Sequence, residues 1–228
     1  MNTLRKSLVM VGFTIATGVW GQARADLMIE IQGQPAVDDS GTGFAAYHNL
    51  PITVGNLTVY TDSGVGYPVQ GTLTSPVLDL TSEVVAAGAG TLTLSITQTG
   101  FTSLTGGEQF LSSIGGNTTG GVSAAMNTYL DNSDAPFGTG TPLSSGLLLS
   151  GFPGQTGNAN DPSVSNPYSL TAIITVTAIS GGMASIDALI VDAPEPASLS
   201  LLSAALVVLA MVGWWFNGVR RSPRRVRA

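Results

Sequence analysis

The sequence has no cysteine and, over most of its length, no basic residue. Without cysteine there is no disulfide scaffold, no thiol nucleophile and no thiolate-held zinc or iron–sulfur centre. Lysine and arginine occur only at Arg5, Lys6 and Arg24 and at Arg220, Arg221, Arg224, Arg225 and Arg227, so nothing between Ala25 and Arg220 carries a fixed positive charge. All fourteen carboxylates fall in that gap, which therefore has a net charge of −14 against +8 for the two ends together. Nucleic-acid binding needs cations to neutralise phosphates, and it is excluded for the middle. Anionic sugars and phosphorylated substrates would likewise find no ammonium or guanidinium to hold them. Charged residues are only 10% of the chain and hydrophobic ones 43%, the reverse of a disordered composition. Tryptophan is confined to Trp20, Trp214 and Trp215, in the terminal segments, so the middle has no indole on which a sugar ring might stack. Tyr47, Tyr60, Tyr67, Tyr129 and Tyr168 are the tyrosines present there, with no pattern to choose among them.

The terminal segments read as addresses. Arg5 and Lys6 precede an apolar core from Ser7 to Gly18, and Ala23 and Ala25 put small residues where a signal peptidase needs them. Residues 1–25 are therefore expected to be a signal peptide, cleaved before Asp26. At the other end Ala197 to Phe216 is uncharged for twenty residues, about 30 Å as a helix, which matches a bilayer's hydrocarbon core. Trp214, Trp215 and Phe216 close it at headgroup level, and the arginines Arg220, Arg221, Arg224, Arg225 and Arg227 then hold residues 217–228 in the cytoplasm. The acidic middle, residues 26–193, is thereby expected to face outward.

The tripeptide Pro194-Glu195-Pro196 stands immediately before this span. Prolines on both sides of Glu195 keep the segment extended and accessible beside the membrane. In this order, tripeptide, apolar helix and arginine tail, residues 194–228 resemble the PEP-CTERM sorting signal of Gram-negative bacteria. The resemblance implies export, processing by an exosortase-like membrane enzyme, a final place on the cell surface or in the extracellular matrix, and association with exopolysaccharide. A permanent single-pass anchor is the other reading of the same residues.

Residues 26–193 are long enough for one domain with a real core, and their periodicity is that of strands. Leu92, Leu94 and Ile96 alternate with Thr91, Thr93, Ser95 and Thr97, and Leu170, Ala172, Ile174, Val176 and Ala178 share one face of a second strand. Leu27–Ile31, Ile52–Tyr60 and Val69–Leu78 are further strands, and Gly181-Gly182 is read as the turn of a hairpin into Met183–Val191. Val122–Leu130 fits a short helix or a strand. Gly106–Gly121 and Ser133–Ser165 read as long surface loops. The fold class expected is all-β, an antiparallel sandwich of jelly-roll type.

Motifs for chemistry are few. Asp-Ser-Gly occurs at residues 39–41 and 62–64, as in the two active-site loops of aspartic proteases, but 23 residues apart is too close for two lobes, and these residue types make turns. His48 is the only histidine, and no Gly-x-Ser-x-Gly elbow exists to partner it. Glu83 and Glu108 are the glutamates that a hydrolase of neutral polysaccharide would use as its carboxylate pair. Asp131 and Asp134 with Asn132 and Ser133, and Asp161 with Asn158 and Asn160, offer hard oxygens to calcium without EF-hand spacing; the same residues also build turns. The reading is a non-catalytic surface or matrix protein that needs no cofactor, with a calcium- or glycan-binding module as its alternative.

Overall fold

The computed structural model describes residues 25–103, 107–149 and 155–192. The signal segment up to Arg24, Pro194-Glu195-Pro196, the span Ala197–Phe216 and the arginine tail lie outside the described residues, among which no helix is long and apolar enough to cross a membrane. The strands are β1 (Leu27–Ile31), β2 (Val37–Asp38), β3 (Phe44–Ala46), β4 (Ile52–Val54), β5 (Leu57–Val65) and β6 (Gly71–Thr72). They continue as β7 (Ser75–Ala86), β8 (Gly90–Phe101), β9 (Gly107–Asp131), β10 (Thr141–Leu149), β11 (Gln155–Ser163) and β12 (Tyr168–Asp192). The fold is all-β and antiparallel, as its periodicity predicts.

Two strands of 25 residues, β9 and β12, organise everything else. They pair with each other along almost their whole length, from Ser169 opposite Asp131 to Asp192 opposite Phe110. The first half of β12 also pairs with β8, and its second half with β7. Both long strands fold over midway. Ser112 and Thr128, sixteen residues apart on β9, share a buried hydroxyl–hydroxyl hydrogen bond of 2.9 Å, whereas a straight strand would hold them about 50 Å apart. One layer is thus β2-β1-β8, the first half of β12, the second half of β9 and β10. The facing layer is β3 and β4 beside β5, then β7, the second half of β12, the first half of β9 and β11. Because the long strands run through both, the hydrogen bonding is continuous, and the shape is nearer a flattened barrel than two separate sheets.

The core lies between the layers. Leu27, Ile29 and Ile31 of β1, Leu92, Leu94 and Ile96 of β8 and Ile174 and Val176 of β12 meet Leu57, Val59, Leu78, Leu80, Ile186 and Ile190 from the other side. Phe101, Phe110 and Tyr168 close one end, with ring centroids 5.8 and 6.3 Å from Tyr168. Thr97 of β8 and Thr171 of β12, both fully buried, are opposite each other and bonded hydroxyl to hydroxyl at 2.9 Å, a β-branched cross-strand pair whose polar groups satisfy each other.

Several sequence expectations are corrected. Gly181-Gly182 is no hairpin turn: β12 continues through it, and the two segments share neighbours instead of pairing with each other. The register shift between Ala178 and Gly182, opposite Gly120, is the fold-over itself. The stretch read as a loop to Gly121 is, from Gly107 on, the first half of β9, because glycine here serves close backbone approach. A Cβ on Gly116 would collide with the Ser185 carbonyl, and one on Gly120 with that of Gly181. Val122–Leu130 is strand, and Ser133–Ser165 contains β10 and β11. Ile52–Tyr60 is a hairpin, with Gly55 at φ 60° opening the two-residue turn between β4 and β5. The Val69–Leu78 run begins later, as β6 and the longer β7.

Candidate functional site

The turn after β1 and the segment after β3 meet at one open edge between the layers. Gly33, at φ 78°, and the Gln34 amide bonded to the Ile31 carbonyl at 2.8 Å turn the chain from β1 towards β2. Tyr47 crosses from the opposite layer. Its hydroxyl donates to the Pro35 carbonyl at 2.7 Å and accepts from the Ile31 amide at 3.1 Å, while its own amide donates to the Asp62 carbonyl at 3.3 Å. The phenol is pushed above its ordinary range by burial, opposed by the Ile31 hydrogen bond, with Asp62 and Glu30 adding to the rise. It therefore stays neutral.

Around Tyr47 lies a groove of about 370 Å³. Gln34, His48 and Asn49 bring polar side chains to it beside the ring of Tyr47, and Pro35, Val37 and Ile52 supply apolar wall. Hydrogen-bonding groups over an apolar wall, with no lysine or arginine among them, suit a neutral, hydroxyl-bearing ligand.

The acidic residues divide into different settings. In the first Asp-Ser-Gly, Asp39 is buried and accepts from the Leu27 amide at 3.1 Å, the Gly41 amide at 2.8 Å and the Gly43 amide. It is a turn clasp, with Ser40, Gly41 and Gly43 all at positive φ. Asp26, Asp38 and Asp39 bring carboxylate oxygens within 4.8 Å of one another, the set best spaced for a cation among the described residues. Asp26 is also tied to Thr99 in both directions, its amide donating to the hydroxyl at 3.3 Å and its carbonyl accepting from the amide at 3.2 Å. The expected cleavage junction, between Ala25 and Asp26, thus leaves one residue before β1, and Ala25 is itself buried.

The second Asp-Ser-Gly is a correction: it is no turn but lies within β5. Gly64 faces inward, where a Cβ would come 2.6 Å from Ile96 and 2.8 Å from Ile29. Asp62 also faces inward, and the two motifs stand apart as a loop clasp and a core position, with no shared site.

Asp131 and Asp134 sit where β9 leaves for β10. Asp131 accepts from the Ser133 amide at 2.7 Å and hydroxyl at 2.6 Å, and those bonds hold its carboxyl below the usual range. Asp134 accepts from the Gly100 amide at 2.7 Å; burial raises it, against that bond and with help from Asp131. Both have positions in a hydrogen-bonded turn. Asp161 falls on β11, and its side chain, like that of Glu108, lies outside the described residues.

Glu83 is on β7, opposite Ser185 of β12, which is opposite Asn117 of β9. Glu108 is nine residues further along β9, about 30 Å at strand rise. The two glutamates are not brought to the 5–10 Å or so that paired-carboxylate hydrolysis uses. Besides the Asp26, Asp38 and Asp39 group, two carboxylates meet within the sheet, those of Asp79 and Asp187, diagonal neighbours on β7 and β12. Burial first, then the Asp187 charge and hydrogen bond, push Asp79 up to about 6. Sequence reasoning missed this pair and the role of Tyr47. Register brings the first together, and the second is one of five tyrosines with no distinguishing neighbour.

No family model and no curated protein matches the chain. Among solved structures it is similar to the enzymatically active domain of bacteriophage CBA120 tailspike protein 4, at 11% identity and a TM-score of 0.29, over 73% of this chain and 19% of that one. It is similar to TmCBM61 in complex with β-1,4-galactotriose at 12% identity and a TM-score of 0.26, over 72% and 86% of the two chains. A structure from the infectious bursal disease virus Gx strain gives 12% identity and 0.30, over 82% and 54%. The chain thus spans under a fifth of the tailspike domain's chain and about half of the viral one. Likenesses this faint fix neither ligand nor activity.

Proposed function

We propose that the chain is an exported, non-catalytic surface protein, sorted through its PEP-CTERM-type tail, whose β domain of sandwich type holds neutral polysaccharide in the groove beside Tyr47. The observation that supports this reading most is the groove's composition: Gln34, Tyr47, His48 and Asn49 over Pro35, Val37 and Ile52, in a domain with no lysine or arginine. Such a groove would reject uronates and phosphates and accept hydroxyls. Export and processing rest on the terminal segments and on the resemblance of residues 194–228.

Titration calorimetry with neutral and uronate-containing polysaccharides tests the ligand class. Binding to a neutral glycan only, weakened about tenfold in His48→Ala and Asn49→Ala with the fold intact, is expected. Equal affinity in both variants removes the groove reading. Intact-mass mapping of the protein from its own cells tests sorting separately. A chain from Asp26 to near Pro194–Pro196 is expected, and a chain still carrying Arg220–Arg227 makes the span a permanent anchor.

A further inference from the structure

Asp62 is a carboxylic acid in the wrong place. It points between the layers from β5, is 2% exposed, and neither oxygen has a hydrogen-bond partner. The nearest hydroxyl is that of Ser82, directly opposite on β7, but its proton is committed to the Thr61 carbonyl at 2.9 Å. Leu80 and Val84, two positions to either side of Ser82 on β7, and Ile29 and Ile96, which lie against Gly64 two residues further along β5, are buried and apolar. The titratable groups on its side are Tyr47, from the segment after β3, and Glu30 of β1, which acts on the same phenol. Inward positions of β7 and β8 bring no acid or base, and the described residues contain no lysine or arginine. An ionised carboxylate sealed there would be neither solvated nor paired, at a cost of several kcal/mol.

We propose that Asp62 is a proton switch: the edge formed by β5 and the Tyr47 segment closes with this carboxyl protonated, and loss of the proton loosens it. Burial pushes the Asp62 carboxyl up to about 7. The unfolded chain ionises near the ordinary value of 3.8. The contribution of the proton to stability is therefore complete below about pH 4 and is lost as pH rises through about 7. The strand pair most exposed to this is the one Asp62 itself joins, since its carbonyl receives the Tyr47 amide. Tyr47 in turn ties β3 to the turn after β1, so the proton governs how firmly the open edge is held. This holds whether or not the groove takes a glycan.

The test is urea unfolding of the full chain in mild detergent from about pH 4 to pH 8, for wild type and Asp62→Asn. The unfolding equilibrium constant of wild type should rise relative to the variant by a factor of about 100–1,000 across that range. Protection of the Tyr47 amide from hydrogen exchange, after correction for intrinsic rate, should fall with pH in wild type and stay level in the variant. Parallel pH profiles of the two proteins overturn the proposal. If Asp62→Asn does not fold, carbon-13 NMR of the Asp62 carboxyl in the unsubstituted chain decides. A midpoint near neutrality supports the switch, and one near 4 overturns it.

Discussion

Glycine means opposite things at different positions of this chain. Gly33 lies in an open turn at φ 78° with nothing within 4 Å of where a Cβ would be, whereas Gly116, at φ 119°, has the Ser185 backbone against it. Gly33→Ala should therefore cost only about 1 kcal/mol, for the left-handed backbone. Gly116→Ala should cost about 3 kcal/mol, because two strand backbones must also move apart. Urea unfolding of the two variants checks the difference, and equal costs would mean that β9 and β12 are not held so close. The same contrast explains what was hard to read. Gly115-Gly116 and Gly120-Gly121 look like loop residues to any local rule, since close approach to a partner strand leaves no mark in neighbouring sequence. Asp62 is obscured in the same way: Asp-Ser-Gly is turn chemistry at residues 39–41 and core geometry at 62–64.

Among elements, the legible ones are those whose neighbours lie on one side of the pleat. β1, and β8 as far as Ile96, alternate cleanly because there each buries one face, and residue alternation alone places them; from Thr97 to Phe101 β8 is buried on both faces. β9 does not, because its glycines and threonines face a partner backbone at the fold-over. The groove was legible in composition only, for its residues come from two segments, 34–37 and 46–52, that no periodicity connects. The loop between β2 and β3 is held above all by Asp39, whose carboxylate collects the amides of Leu27, Gly41 and Gly43, with Asp38 and Thr42 adding side-chain bonds of their own. Asp39→Ala strands all three and should destabilise the domain by about 3 kcal/mol. A thermal melt reads the loss directly. A variant within about 0.5 kcal/mol of wild type would show that water replaces the carboxylate at no cost.

For the molecule as a whole, a domain with carboxylates and no lysine or arginine has only self-repulsion between its fixed charges. Raising salt from about 0.01 M to about 0.3 M shortens the screening length from about 30 Å to below about 8 Å. The midpoint of unfolding at pH 8 should rise with it. Salt should matter far less near pH 4, where many of these groups are protonated, and a salt response that is the same at both pH values would count against repulsion as its source. Asp79 adds to the trend. Its carboxyl is raised by burial and by Asp187, so its contribution is complete below about pH 4 and is lost as pH passes through about 6. The domain is thus most stable on the acid side of neutrality, which its composition already announces.

The long strands also decide how the domain carries force. Asp192 ends β12, the last strand among the described residues. A pull at that point acts along a strand bonded on both flanks, first to β7 and β9 and then, past the fold-over, to β8 and β9. Its hydrogen bonds are loaded in shear, many at once, and cannot be peeled away one rung at a time. A load entering at the groove reaches the same strand through β5 and β7. If the chain is tethered beyond Asp192 and holds a glycan in its groove, as proposed, the load between those points would run through strands bonded on both flanks.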